Sequence, residues 1–156
     1  MPTPEPPEPA VEELEAGSLD EVRPLLLDLL AEDHGRYSPV RADAEALVGE
    51  VRASFSGENL LLGIRDEGRL VGFCWCVFFD PGTGYEAEVA EVYVVPAHRG
   101  RGLASRLVTA AVETFRTRGV TFASVWTHPS NAAALSLYRS AGFAPTEQTV
   151  LTWLPG

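Results

Sequence analysis

With 156 residues, of which 46% are hydrophobic, the chain is long enough to bury one core and too short for two full domains. Its 12 basic residues are all arginine and face 22 acidic residues, and the resulting formal charge of −10 argues against a nucleic-acid binder. Residues 1–50 hold 13 acidic residues and 3 arginines, whereas residues 51–156 hold 9 of each. An acidic N-terminal third attracts cations, either amines or a basic protein partner, although a solvated face without a partner explains the same pattern.

No segment of the sequence predicts insertion into a membrane. The longest apolar stretches fall well short of the ~20 residues that a transmembrane helix needs. The N-terminus lacks the basic leader and the apolar core of a secretory signal, so a cytoplasmic location is expected. Five prolines and two glutamates in residues 2–9 predict a disordered tail over residues 1–10, and a single domain is expected over residues 11–156.

The domain is expected to begin with two helices. Ser18 and Glu21 have the spacing of a capping box, and leucines recur after them at helical intervals. This pattern predicts an amphipathic helix that ends before Gly35, with a short strand before it. A second helix is expected over residues 42–55, where apolar residues share one face.

The rest of the domain predicts three strands, followed by alternating helices and strands. Turn signals at Asp66-Glu67-Gly68 and at residues 81–84 divide the first three strands into an antiparallel meander. The predicted elements are strands over residues 60–64, 70–79 and 86–95, a helix over 103–115, a strand over 121–127, a helix over 130–140 and a closing strand over 148–153. This order predicts an α+β domain with a mixed, mostly antiparallel sheet flanked by helices, because strand–helix–strand units allow a parallel pair.

The two cysteines, Cys74 and Cys76, are interpreted as core residues. Residues two apart in a strand point to the same face, and their sulfur atoms are expected not to approach each other closely. A metal site would need further ligands nearby, and the three histidines are scattered along the chain, so no metal is expected.

The segment after the third strand has the composition of an anion-binding turn. An apolar strand runs through Pro96 into a turn that opens a helix, so unpaired N–H groups of the first helical turn point outward. Gly100 and Gly102 let a phosphate approach the backbone, and Arg99 and Arg101 add positive charge. The absence of lysine excludes a P-loop, and a dinucleotide fingerprint fails at its third small residue. From the residues alone, a turn with incidental glycines remains the alternative.

Two motifs resemble signatures of the GNAT superfamily of acyl-CoA-dependent N-acyltransferases. The first motif, Val-x-Pro followed by Arg-x-x-Gly-x-Ala, is formed by Val94, Pro96, Arg99, Gly102 and Ala104. The second motif, Asn-x-x-Ala-x-x-x-Tyr-x-x-x-Gly-Phe, runs from Asn131 to Phe143. Both stand in the order and at the separation usual in the family. The resemblance implies the GNAT fold, a single domain whose sheet splays next to the first motif.

The resemblance implies a binding site for acetyl-CoA as co-substrate. Backbone N–H groups of residues 99–104 would bind the pyrophosphate, and the backbone of residues 92–95 would pair with the pantetheine arm like an added strand. An N–H of Val94 or Val95 would polarise the thioester carbonyl, and Asn131 would contact the cofactor, cap its helix, or do both. The cofactor-binding residues implied in this way are Val92, Tyr93, Val94, Val95, Arg99, Gly100, Arg101, Gly102, Leu103, Ala104, Asn131 and Tyr138.

The resemblance also implies the catalytic groups. Tyr138 matches the family's general acid, which would protonate the departing CoA thiolate, and its alternative role is packing on Leu135 and Phe143. The base is Glu88, Glu91 or no dedicated residue. In a regular strand Glu88 shares a face with Val94 and Glu91 shares one with Tyr93, whereas a bulge reverses this arrangement.

The expected function is transfer of an acetyl group from acetyl-CoA directly to a primary amine, and the charge of −10 favours a small cationic amine. The resemblance implies that the connection between the first two helices lines the acceptor pocket, so His34 and Tyr37 in that connection are expected to contact this substrate. The alternatives are a catalytically silent acyl-CoA-binding regulatory module and an acidic protein-interaction module. A homodimer through the closing strand or an exposed sheet edge is compatible with the resemblance.

Overall fold

A computed structural model describes residues 8–15, 19–37, 58–82 and 84–153 of the chain. The second helix predicted over residues 42–55 lies outside the described residues, as does most of the tail predicted over residues 1–10. The elements are β1 (Val11–Glu13), α1 (Leu19–Tyr37), β2 (Glu58–Asp66), β3 (Arg69–Phe79), β4 (Glu86–Val94), a single 3₁₀ turn (Pro96–His98), α2 (Leu103–Thr117), β5 (Phe122–Val125) and α3 (Ala132–Ser140).

The five strands form one mixed sheet in the order β1-β2-β3-β4-β5. The first four strands pair antiparallel with their neighbours, and β5 pairs parallel with β4. Helix α2 makes the crossover that a parallel pair requires. The predicted α+β class, the mostly antiparallel sheet and the short strand before the first helix are therefore confirmed.

Helices α1 and α2 cover opposite faces of the sheet. Helix α1 packs Val22 and Leu25 into a cluster with Phe73 and Tyr93. Side chains alternate along β3, so Phe73 faces α1 whereas Cys74 faces α2. The buried residues of α2 are Leu103, Leu107, Val108, Ala111 and Phe115. No helix in the described ranges is long and apolar enough to cross a membrane.

Two local predictions are wrong. Helix α1 does not end before Gly35 but continues to Tyr37, because one glycine costs a helix only about 1 kcal/mol. The sulfur atoms of Cys74 and Cys76 do approach each other, at 3.7 Å, since both side chains lean together on the same buried face. The hydrogen bond with Cys76, together with burial, raises the pKa of the Cys74 thiol.

The C-terminal segment also differs from the prediction. The closing strand predicted over residues 148–153 is wrong, because these residues pair with none of the strands in the described part of the chain. Leu151 is 90% exposed and Trp153 is 84% exposed. Residues with high β-propensity form a strand only where a neighbouring sheet edge supplies hydrogen bonds and packing. Residues 148–153 have no such neighbour among the described strands. Strand β5 is shorter than the range predicted for it.

Strand β4 parts from β5 halfway along its length. The two strands pair only over residues 86–89 of β4. On the other side, the register with β3 shifts between Trp75 and Cys76, which leaves Ala90 as an extra residue in β4. Such a bulge bends a strand and increases its twist. Over residues 90–94 the edge of β4 that faced β5 is therefore open, and this opening is the splay that the resemblance implied.

Candidate active site

The turn from β4 into α2 has an open, glycine-lined backbone. Gly100 and Gly102 have φ angles of 76° and 75°, in the left-handed region that favours glycine. A Cβ atom at either position would meet no atom within 4 Å, so the backbone faces open space there. Gly102 is the N-cap of α2, and the first N–H groups of a helix have no acceptor within that helix. Together with the positive end of the helix dipole, these groups form a cradle for an anion.

A cleft of about 730 Å³ opens beside this turn and runs along the open edge of β4. Residues of α3 form a further part of its wall, and Leu29 and Glu32 of α1 also line it. All predicted cofactor-binding residues except Val95 and Arg101 line the cleft. The structure thus brings together residues that are up to about 50 positions apart in the predicted motifs, from β4 to α3.

Main-chain groups of β4 point alternately towards β3 and towards the cleft. The Val95 N–H donates to Val71 O at 2.9 Å, so it lies on the β3 side. Val94 lies opposite Gly72, one position along, and therefore turns its N–H and C=O away from β3. The N–H and C=O of Val92, two residues earlier, also point away from β3. Of the two amides expected to polarise a carbonyl, that of Val95 is committed to the sheet and that of Val94 faces the cleft.

The side chain of Arg99 is held by two acceptors within the protein. Its Nε donates to Val94 O at 2.8 Å, and its Nη2 donates to Glu32 Oε1 at 2.7 Å. The Tyr93 hydroxyl donates to the same carboxylate oxygen at 3.0 Å, and the guanidinium lies 5.3 Å from the centroid of the Tyr93 ring. The hydrogen bond to Glu32 raises the pKa of Arg99, and burial, followed by Glu32, raises the pKa of Tyr93 to about 12.

Glu32 is a site residue that sequence analysis missed. It follows Val22 by ten residues and Leu25 by seven, so it falls on the helical stripe that α1 buries. A carboxylate on such a stripe indicates a polar partner inside the fold, and this signal was present in the sequence. The predicted substrate contacts His34 and Tyr37 also belong to α1, but their side chains lie outside the described part of the structure.

Asp66, at the end of β2, contacts two side chains of the turn between β4 and α2. Its Oδ2 lies 3.2 Å from Arg101 Nη1 and 3.0 Å from His98 Nε2. The Arg101 side chain is half exposed and does not line the cleft, and the carboxylate of Asp66 offsets its charge.

Helix α3 brings Asn131 and Tyr138 to the cleft. Asn131 is the N-cap of α3, as predicted, and its Oδ1 accepts the N–H of the third residue of the helix at 3.0 Å. Tyr138 is partly buried and packs against Phe143, with ring centroids 5.9 Å apart. Burial raises the pKa of Tyr138 well above its usual range, and nearby Cys74 and Glu91 act in the same direction. At neutral pH the phenol is therefore protonated and can donate a proton.

The bulge places both candidate bases on one face of β4. Glu91 lies opposite Trp75 and Glu88 lies opposite Val77, on the face that also carries Tyr93. Without the extra residue, Glu88 would point to the opposite face. The described lining of the cleft includes neither carboxylate. The same ranges contain no group of three or more His, Cys, Asp or Glu side chains placed to hold a metal ion.

An anion cradle next to an open strand edge has the shape and the hydrogen-bond donors that fit a long ligand with a phosphorylated end. The chain matches the model of the acetyltransferase (GNAT) family over residues 19–143, and it belongs to that family.

Curated relatives of the chain carry the name mycothiol acetyltransferase. The relative from Renibacterium salmoninarum is 33% identical over 106 residues, which cover 66% of this chain and 30% of that protein. The relative from Paenarthrobacter aurescens is 33% identical over 117 residues, which cover 73% of this chain and 35% of that protein. The chain thus spans about a third of the length of these relatives.

The fold is shared with solved acetyltransferases. The structure of AAC(6')-Iy in complex with the bisubstrate analogue CoA-S-monomethyl-acetylneamine matches with a TM-score of 0.66 and 17% identity. The match covers 96% of this chain and 100% of that chain. At this level of identity the likeness shows the fold alone.

Proposed function

We propose that the chain is an N-acetyltransferase that moves an acetyl group from acetyl-CoA directly to the primary amine of a small cationic molecule. The observation that carries the proposal is the shared cleft, which is lined by the anion cradle, the open edge of β4 and Tyr138. Membership in the GNAT acetyltransferase family and the names of the relatives support acetyl transfer as the reaction.

The residues around the cleft fit acetyl-CoA. Backbone N–H groups at residues 99–104 offer donors to its diphosphate, and the open space beside Gly100 and Gly102 lets the diphosphate reach them. The main-chain groups of Val92 offer a strand edge to a pantetheine amide, and the N–H of Val94 is kept for the thioester carbonyl. Asn131 lines the same cleft at the start of α3, where its amide can contact the cofactor while its oxygen caps the helix.

The Val94 N–H and the Tyr138 phenol act at successive steps of the transfer. Attack of the amine nitrogen on the thioester carbonyl forms the C–N bond and places negative charge on the carbonyl oxygen, which the Val94 N–H stabilises. Cleavage of the C–S bond follows, and Tyr138 donates its proton to the departing thiolate. Because the acetyl group passes directly between substrates, the buried Cys74 and Cys76 are not required as nucleophiles.

The acceptor amine must lose a proton before it attacks, and Glu88 and Glu91 are the candidate bases. Neither carboxylate lines the cleft, so we assign the proton transfer to a water that links the amine to the carboxylate. Glu91 is the favoured base, because it lies in the open part of β4, whereas Glu88 lies in the part that pairs with β5.

The charge of the chain supports a cationic acceptor. A formal net charge of −10 raises the local concentration of cations and steers them to the surface. The name mycothiol acetyltransferase refers to a small molecule, which supports a small acceptor over a protein.

A thiol-release assay with acetyl-CoA and a panel of amines tests the proposal. The panel contains polyamines, aminoglycosides, amino acids, dipeptides and a peptide with a free N-terminus. We expect turnover of small cationic amines, with kcat/KM falling as salt is added because salt screens the acidic surface. Calorimetry with CoA is the companion measurement. CoA binding without turnover of any amine would overturn the enzymatic proposal in favour of a silent module, and absence of CoA binding would overturn both.

A further inference from the structure

Glu32 stands at the centre of a small network between α1 and the open end of β4. Its Oε1 accepts hydrogen bonds from the Tyr93 hydroxyl at 3.0 Å and from Arg99 Nη2 at 2.7 Å. The Glu32 side chain is only 28% exposed, so water competes weakly for the carboxylate. The network joins a helix to a strand that follows it by about 60 residues in the chain.

The same guanidinium extends the network to the last peptide group of β4. Arg99 Nε donates to Val94 O at 2.8 Å, while the N–H of that peptide group, which belongs to Val95, donates to Val71 O at 2.9 Å. The peptide is therefore held from both sides. On the cleft side, where β5 no longer pairs with β4, Arg99 takes the place of the missing strand partner.

We propose that Glu32 is a positioning residue for the acetyl transfer. It orients Arg99, and Arg99 in turn fixes the end of β4 so that the Val94 N–H points at the thioester carbonyl. This inference rests on the proposed function, because it assigns a task to the amide that the proposed reaction uses. Glu32 touches neither the reacting atoms nor the cofactor in this scheme, so its effect passes through Arg99.

The carboxylate is needed because Arg99 has a competing partner. Its side chain is 39% exposed and belongs to the turn that would bind the diphosphate. Without Glu32, the guanidinium is free to leave Val94 O for solvent or for the bound anion. Glu32 and the Tyr93 ring contact the guanidinium of Arg99 in addition to Val94 O. With these partners present, the planar guanidinium has one orientation in which both Nε and Nη2 donate a hydrogen bond.

Steady-state kinetics on four variants test the proposal. Glu32→Ala is expected to lower kcat about tenfold while the Kd of CoA changes by less than about threefold, since only a transition-state contact is misplaced. Glu32→Gln keeps an acceptor oxygen and is expected to recover part of the loss. Arg99→Lys keeps the charge but lacks the two-donor fork, so its kcat should fall about as far as that of Glu32→Ala. The double variant, Glu32→Ala with Arg99→Lys, should lose little more kcat than either single variant, because both substitutions break the same network.

Glu21→Ala is the matched control on the same helix. Glu21 forms an equivalent ion pair with Arg65 of β2, away from the cleft. We expect Glu21→Ala to leave kcat unchanged. Equal losses in Glu21→Ala and Glu32→Ala would overturn the proposal, because both variants would then act through the attachment of α1 alone.

A measurement without turnover separates this inference from the proposed function. The ¹⁵N–¹H resonance of Val94 is expected to shift and broaden in Glu32→Ala and to stay in place in Glu21→Ala. An unchanged Val94 resonance in Glu32→Ala would refute the positioning role even in an active enzyme. A shifted resonance in a protein that turns over no amine would support the network and refute the proposed function.

Discussion

Replacing Gly102 with alanine places a methyl group on the anion cradle. Gly102 has a φ of 75°, and a Cβ built there meets no protein atom within 4 Å. The fold therefore does not clash with the methyl group, and the cost to stability is the left-handed backbone alone, roughly 1–2 kcal/mol. Since each kcal/mol lowers the Tm of a chain of this size by about 2–4 °C, we expect a fall of roughly 2–8 °C.

Gly119 offers a matched control for this substitution. It has a φ of 72°, it is equally open, and it follows α2 at the end remote from the cradle. Gly119→Ala should therefore lower the Tm to the same extent. Only Gly102→Ala should weaken CoA binding, by about tenfold or more, because its methyl group holds the diphosphate away from N–H donors whose bonds to a charged group contribute about 1.5–3 kcal/mol.

Thermal melts without ligand and calorimetric titrations with CoA measure the two effects separately. The expected outcome is similar losses of Tm in both variants and a higher Kd in Gly102→Ala alone. If Gly102→Ala binds CoA as tightly as Gly119→Ala does, the diphosphate does not lie on this turn and the reasoning fails. A loss of Tm confined to Gly102→Ala would contradict the assignment of the cost to backbone conformation.

Three further outcomes are expected. Tyr138→Phe should lower kcat about 100-fold with little change in the Kd of CoA, and an unchanged kcat with every amine would remove Tyr138 as the acid. The pKa of Tyr93 is raised from 10.0 to about 12, so its contribution to stability is fully present below pH 10 and is lost as the pH rises to 12. Denaturant melts between pH 10 and pH 12 should show that the free energy of unfolding falls less steeply with pH in Tyr93→Phe than in the wild type. Equal slopes of this free energy against pH would count against a raised pKa of Tyr93. Glu91→Gln should lower kcat/KM at neutral pH more than Glu88→Gln, and the reverse order would make Glu88 the base.

The cradle could be predicted from the sequence because its determinants are local. Pro96 begins the turn just after β4, Gly100 and Gly102 adopt positive φ angles, and the helical pattern begins directly after them. Asn131 as a helix N-cap follows from the same kind of reasoning over a few residues. Short-range stereochemistry therefore suffices to predict the conformation of this turn, and the family motifs add the expectation that it binds the co-substrate.

The acceptor side could not be predicted in the same way, because its geometry depends on pairing between distant segments. The bulge at Ala90 is visible only in the register between β3 and β4, yet it decides on which face Glu88 lies. The bond between Glu32 and Arg99 joins residues 67 positions apart. The predicted closing strand failed for the same reason, since β-propensity does not say whether a free sheet edge is within reach.

The hydrogen bond between Arg99 and Val94 also explains how an open strand edge is reserved for a ligand. An exposed edge with free N–H and C=O groups invites another strand, because antiparallel pairing uses both groups of the same residue. At Val94 the C=O already accepts from the Arg99 side chain, which lies where an added strand would place its own donor. An added peptide strand would lose the hydrogen bond to the Val94 C=O, whereas a thioester carbonyl needs only the Val94 N–H. At Val94, Arg99 therefore favours a ligand that needs only a donor over a strand that needs both a donor and an acceptor.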